Sequence, residues 1–498
     1  MIRSINLPVF QDELVDGGLY VKTSNIISDV IVVIGFHANG YVGQGLTPQD
    51  PNNYINIPIN ITNGQSVGDA ADYVYGTSPN GSTISQAVYE TTGAGANQVY
   101  AMTLGQWGNA NFVDPATGTS YPLFTNNGNG TYSIIQTNYY MALDNAYTLL
   151  AGFNSDIIYP ADAFAFNSLN FIPNNTAASG RPTNFAYQLA QACSDMSFQQ
   201  NECFGVINMI PAASGTLQGV ATYIGTAPTT NPATGAILTS GTGLLSMPYM
   251  VGAPSGVPAY TILPGFWGSN FPVTSANYGL PPLNKSEVLL DRKGNQVDLG
   301  KFIDIVAEEP TYSNAAFQAE NITTYNGLGA SAYAGLISTL VPQNSATNKV
   351  VNGLSGLRYF KSLHQLDLLD GARYITFRNT NRGVVVTDDP TAARPSSDFA
   401  RRSTMRIVSA VMKLVRLVSD PYIGEANNAA AQNALHSAID AQLKSFVSQG
   451  ALNAYDFSIS SSPTDAVLGN IYIYLTLVPA FEIHNITAIV VLQSSINS

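Results

Sequence analysis

Short apolar runs bounded by polar, Gly-rich sequence alternate with segments of helical period along most of the chain. Val30–Phe36 (VIVVIGF) predicts a buried strand, Thr83–Thr92 a helix, and Gln98–Leu104 (QVYAMTL) a second strand, which together make an α/β unit. Between 105 and 140 strand alternation is broken by Asn-Gly turns, predicting a hairpin-rich insertion. The α/β character returns over 141–212, with a helix near 141–152, a strand at Asp156–Tyr159, a helix at 184–197 and a strand at Cys203–Met209. Residues 213–282, dominated by Gly, Thr, Ser and Pro, read as surface loops or a second β insertion; Glu287–Leu290 and Gln296–Leu299 read as a hairpin.

The last third is more regular. Helices are predicted over Ser331–Leu340, Leu357–Leu369, Asp398–Ser419 and Ala426–Gln449, the third stopped by Asp420-Pro421 and the fourth by Gly450. Strands are predicted at Ala372–Phe377, Gly383–Thr387, Tyr455–Ser460, Asn470–Val478 and Ile483–Leu492. Both ends look like arms. Ile5, Leu7 and Val9 share one strand face in a segment too short to fold alone, with Pro8 marking an edge or exchanged strand. The final strand, with Ile486, Ile489 and Val491, runs almost to the last residue.

Charge changes this picture. Only 10% of the 498 residues are charged, against a usual ~25%, so the polar surface comes from Asn, Thr, Ser, Gln and Tyr. Residues 1–340 carry 7 Lys and Arg against 21 Asp and Glu, whereas 341–498 carry 13 against 11. Before Asn284 the cations are Arg3, Lys22 and Arg181, too few to neutralise a phosphate backbone, so no nucleic-acid partner is expected. No apolar run reaches 18 residues, so no membrane insertion is expected, and the start has no apolar signal region. Cys193 and Cys203 make neither a disulfide framework nor a zinc site and read as small buried hydrophobes. The Asn-x-Ser/Thr sequons at Asn60, Asn129, Asn174, Asn321 and Asn485 read as inert.

Catalytic patterns are weak. His37, His364, His436 and His484 have no metal-ligand spacing, and no metal or other cofactor is expected. His364, Asp367 and Asp370 fall at i, i+3 and i+6 on a helix and read as a solvated face, as do His436 and Asp440. Gly327-x-Gly329-x-x-Ala332 fits a dinucleotide pattern but follows no apolar strand. Glu308-Glu309 and Asp388-Asp389 precede Pro310 and Pro390 and read as solvated turns. One feature rises above this background. On the helix 398–419, Arg402, Arg406, Lys413 and Arg416 occupy an arc of about 80°, opposite the apolar stripe of Ile407, Val411, Leu414, Val415 and Val418. Clustered cations without acids among them favour an acidic partner surface.

From Ser331 onward the chain resembles contractile-tail sheath proteins of long-tailed phages. The resemblance is carried by AYAGLIST (332–339), LDLLDGARYITF (366–377), GVVVTDDPTAA (383–393), RRSTMRIVSAVMKLVR (401–416), AIDAQLKSFVSQGALNAYDF (438–457) and NIYIYLTLVPAFEIHNITAIVVL (470–492). SDVIVVIGF, ISQAVYETTG and QVYAMTL resemble the family's N-terminal α/β portion, while 105–285 does not align. The resemblance implies a mechanical, non-enzymatic virion protein that assembles in the host cytoplasm. Its expected partners are itself, as a helical polymer of stacked rings, a tail tube protein, and baseplate and tail terminator proteins. Terminal arms are expected to add strands to neighbouring C-terminal sheets, and the basic stripe to face the tube or an adjacent subunit.

The fold class expected is α+β and multidomain. A linking arm (1–20) leads into an N-terminal α/β part (21–104), a β-rich insertion (105–140), its α/β continuation (141–212) and an outer loop- and β-rich insertion (213–330). A C-terminal sheath domain (331–480) of two long helices and a mixed sheet, completed by exchanged terminal strands, precedes a terminal arm (481–498). The sheath of a phage-derived injection system or bacteriocin fits equally. A self-assembling surface-layer or adhesin-like protein is a more distant alternative.

Overall fold

The computed structural model describes residues 29–38, 55–61, 83–165 and 185–482, apart from 213, 227–228, 231–236, 240–241, 247–298, 314–323 and 394–396. Both predicted arms, including Ile5, Leu7, Val9, Ile486, Ile489 and Val491, and the predicted 287–299 hairpin lie outside the described residues, save for 481–482 at the start of the C-terminal arm and Leu299, which opens a 3-10 turn (Leu299–Phe302).

Seven strands form the central sheet: β1 (Ile31–His37), β2 (Ile59–Asn60), β3 (Val99–Gln106), β4 (Ile157–Pro160), β5 (Phe204–Asn208), β6 (Ile303–Val306) and β7 (Tyr374–Ile375). Their order is β7-β6-β5-β4-β1-β3-β2, parallel except for β2. β1 is apolar at nearly every position because both its faces are covered, as in parallel sheets generally. Val32, Ile34 and Phe36 enter one core and Ile31 and Val33 the other. Helices α2 (Gln136–Leu150) and α3 (Phe185–Phe198) help build the first core; α1 (Thr83–Gly93) and α4 (Gly329–Thr339) build the second.

α1 and α4 cross closely at Gly335, where a Cβ would lie 2.1 Å from the Thr91 carbonyl oxygen. At the carboxyl end of β1, where folds of this strand order bind ligands, Thr83 Oγ1 donates to Asp162 at 2.6 Å and accepts from the Phe36 amide at 2.9 Å. Gly35 leaves the room for Thr83: a Cβ there would lie 2.7 Å from its hydroxyl. The switch point is thus filled by the chain itself.

The 105–140 insertion is two hairpins, Asn111–Val113 with Ser120–Pro122 and Phe124–Gly128 with Thr131–Ile134, as its turns predict. Four expectations change. Helix α2 begins at Gln136, earlier than predicted. The 213–282 stretch contains a helix, Leu217–Ile224, capped by Thr216, which accepts from the Gly219 amide. The helix expected over 357–369 is instead strand Leu354–Leu357 followed by α5 (Leu363–Gly371), because Ser362 and Gln365 form a capping box. The α/β layer also runs past residue 330, since it takes α4 and β7 from the 331–480 stretch.

Beyond it, α6 (Arg402–Ser419) and α7 (Ala429–Ser448) cover one face of an antiparallel hairpin, β8 (Leu452–Ser460) and β9 (Tyr472–Pro479). α6 starts at Arg402 because Arg401 is extended (φ −116°, ψ 136°), and Asn428 caps α7. Ile407, Val411 and Val415 meet Leu435, Ile439 and Leu443, with Phe457, Ile459, Ile473, Leu475 and Leu477 beneath them.

Candidate functional site

The apolar stripe of α6 is held by this small core, which turns its four cations toward the sheet. There they meet acids at the amino-terminal ends of four adjacent strands. Arg402 grips Asp304 of β6: Nε donates to Oδ1 at 3.0 Å and to Oδ2 at 2.7 Å, and Nη2 to Oδ1 at 2.6 Å. Its Nη1 donates to the Lys301 carbonyl at 3.1 Å, and the guanidinium stacks 4.1 Å over the Phe204 ring. Arg406 Nη2 donates to Asp29, ahead of β1, at 2.9 Å and to the Leu340 carbonyl at 2.6 Å. Lys413 pairs with Asp156, ahead of β4, and Arg416 with Glu202, ahead of β5.

The expected acidic partner therefore exists, but on the same chain. The tube- or subunit-facing stripe is corrected to an intramolecular seam. Arg402 and Arg406 are buried (side chains 1% and 5% exposed), and Lys413 and Arg416 are partly exposed. A cavity of about 100 Å³ remains between them, lined by Asp29, Asp156, Glu202 and Phe204. Burial pushes the Asp304 carboxyl up to about 6, with Arg402 opposing the shift. Arg402 itself is held above its usual value by Asp304, against the desolvation that would lower it. The ion pair is the form that satisfies both groups near neutral pH.

The paired carboxylates are not solvated turns. Glu308 binds Lys361 at 2.7 Å and accepts from the Phe377 amide at 3.0 Å, and Glu309 pairs with Arg358 and accepts from the Ala212 amide at 2.7 Å. Asp388 pairs with Arg401 at 2.5 Å, and Arg401 also reaches Glu482 at 3.2 Å. Asp389 accepts from Tyr333 at 2.5 Å, Ser345 at 3.1 Å and the Ala346 amide at 2.9 Å. Glu308 and Glu309 pin the loop that leaves β6, with cations 53 and 49 residues away, whereas Asp389 lies on the seam side, joined through Tyr333 to Asp304.

His364, Asp367 and Asp370 do not converge. The first two are exposed, whereas Asp370 is half-buried, and desolvation followed by repulsion from Asp388 pushes it up to about 7. His436 stacks on Phe457 with centroids 4.4 Å apart, and Asp440 pairs with Lys444 at 2.6 Å. Gly327 and Gly329 crowd Glu90 and the Glu308 carbonyl, leaving no cradle for a phosphate: Cβ atoms there would lie 2.1 and 2.9 Å away. Cys193 and Cys203 are buried free thiols, as expected.

Solved structures with this architecture extend along nearly the whole chain. The helical sheath of the anti-feeding prophage in its contracted state matches over 98% of this chain and 99% of its own, with a TM-score of 0.52 at 13% identity. The fold is that of contractile sheath proteins. A sheath complex of an extracellular contractile injection system, also contracted, gives 0.50 at 11% identity over 94% and 96% of the two chains. A sheath tail protein from Listeria innocua gives 0.50 at 11% over 92% and 97%. No protein-family model and no curated protein matches the sequence. In this sheath fold the seam is where the α6–α7 unit is fastened to the α/β layer.

Proposed function

We propose that the chain is the structural subunit of a contractile phage tail sheath, polymerising around a tail tube and contracting to drive it through a cell envelope. The observation that carries this is the sheath fold extending over 98% of the chain. It acts without catalysis or cofactor. Its partners are further copies of itself, the tube, and the baseplate and terminator at the sheath's two ends; it assembles in the host cytoplasm and works in the virion.

The C-terminal hairpin supports strand exchange. Among the described residues β8 and β9 pair only with each other, so each has an open edge. A two-stranded sheet is marginal alone, and added strands supply main-chain hydrogen bonds and apolar contacts. The arms carrying Ile5, Leu7, Val9 and Ile486, Ile489, Val491 of neighbouring copies are the proposed occupants. The α6 seam makes each subunit one rigid lever, so contraction becomes rotation of whole subunits about strand links. The same role in an injection system is the second reading, favoured by the likeness to two such sheaths. Removing residues 1–20 is expected to leave a folded chain that sediments as monomer where the full chain sediments as polymer; equal sedimentation of both would reject strand exchange by this arm.

A further inference from the structure

In a chain so poor in charge, cations without anions stand out. Among the described residues eight Lys and Arg form ion pairs with carboxylates. Lys301 lies over the rings of Phe302 and Phe399 at 5.2 and 4.6 Å, and the Arg373 charge acts on Asp370. Lys349, Arg378 and Arg382 have no carboxylate partner among the described residues, and they lie together. Segment 348–351 runs beside strand Gly383–Val386, joined by Val351 N to Val384 O at 2.9 Å and Val386 N to Lys349 O at 3.1 Å. On the far side of that strand lies Phe377–Thr380, in register Arg378 to Val385.

This three-strand arrangement brings two guanidinium groups onto one neutral residue. Arg378 Nη2 donates to Asn348 Oδ1 at 3.2 Å; Arg382 Nη2 donates to the same oxygen at 3.0 Å and to the Asn348 carbonyl at 3.3 Å. Arg378 Nε is buried with no acceptor. Lys349 follows Asn348 directly, and both it and Arg382 are exposed. Like charges sharing one uncharged acceptor, with donors left over, have the chemistry of half an ion pair: a carboxylate could replace the shared amide contact with bidentate bonds.

We infer that Lys349, Arg378 and Arg382 form a docking surface for carboxylates of a second copy of this chain. Charge complementarity supports that occupant, since residues 1–340 carry 21 acids against 7 cations. Asp29, Glu90, Glu202, Asp304, Glu308 and Glu309 among them are buried, but Asp144 is exposed and Asp114 partly so, and opposite charges across a subunit contact set register. The inference rests on the polymer proposed above and adds a specific contact to it.

The test is zero-length carbodiimide cross-linking of the full chain assembled from equal parts of 14N- and 15N-labelled protein. Mixed-isotope peptides joining Lys349 to an Asp or Glu are expected. Assembled polymer in which Lys349 gives no such link would overturn the docking surface. Failure of the wild-type chain to assemble at all would instead overturn the polymer and, with it, the second copy as partner. Arg378→Glu/Arg382→Glu is expected to stay folded by circular dichroism and to raise the critical concentration about tenfold or more. Arg378→Gln/Arg382→Gln should give a smaller rise, and an unchanged critical concentration in the folded reversal variant would refute the contact.

Discussion

Replacing Arg402 with Met tests the seam where it is most deeply buried. The guanidinium and the Asp304 carboxylate are 1% and 0% exposed and share three contacts of 3.0 Å or less. Without Arg402, the hydrogen-bond partner left to Asp304 among the described residues is the Tyr333 hydroxyl at 3.3 Å, whose one proton lies closer to Asp389 at 2.5 Å. Removing one partner of a buried pair costs about 3–5 kcal/mol because the other charge stays buried and uncompensated. The Phe204 stacking adds to this, while the methionine recovers some apolar packing. The pH dependence gives the loss a signature. Asp304 titrates at about 6 in the fold against 3.8 unfolded, so its contribution is most favourable below 3.8 and is lost as pH rises through 6. Losing the cation moves the folded value higher still, so the variant keeps losing stability where the wild type has levelled off. Urea unfolding followed by circular dichroism should show a deficit of about 3–5 kcal/mol at pH 7.5 that shrinks at pH 5, where Asp304 takes up its proton. Arg402→Met with Asp304→Leu should recover most of it, since a buried pair replaced by apolar groups is often neutral or better. A deficit below about 1 kcal/mol, equal at both pH values, would refute the buried pair as the fastening of α6.

Two other positions give independent checks. Glu90 is 2% exposed, accepts from Ser331 and from Gln86 at 2.9 Å, and burial pushes it up to about 7 from 4.5. A folded value above the unfolded one means stability is lost as pH rises from 4.5 through 7; Glu90→Gln should therefore be more stable than wild type by about 1–3 kcal/mol at pH 8 and not at pH 5, read by unfolding at both pH values. Gly335→Ala would push a methyl against the Thr91 carbonyl and Ala94, 2.1 and 2.8 Å away, and should cost about 1–3 kcal/mol in the same assay; a neutral result would mean that α1 and α4 do not cross as described.

The parts legible in the sequence were those with a full period of their own. Val30–Phe36, QVYAMTL and the two long C-terminal helices announce themselves because burial on one or both faces writes a repeating pattern. β7 has only two residues, Tyr374 and Ile375, too few to show that the α/β sheet continues beyond residue 330. The helix misplaced over 357–369 was decided by Ser362, a cap that outweighs hydrophobic pattern. At the seam the cations were visible on one helix face, but their partners are scattered: Asp304, Asp156 and Asp29 lie 98, 257 and 377 residues away. A faint signal was present, since Asp29, Asp156 and Glu202 stand within two residues of an apolar strand and Asp304 is embedded in one. Single acids at strand entries are too common to be singled out until the fold brings four of them to one edge.

The central claim is that these subunits build a hollow contractile cylinder. Negative-stain electron microscopy of the purified full chain, expressed without tube or baseplate, tests it most directly. The account predicts hollow, ridged cylinders of uniform width, formed because a sheath without a tube falls into its contracted packing. Discrete monomers at every concentration, from a chain whose first twenty residues are intact, would contradict it.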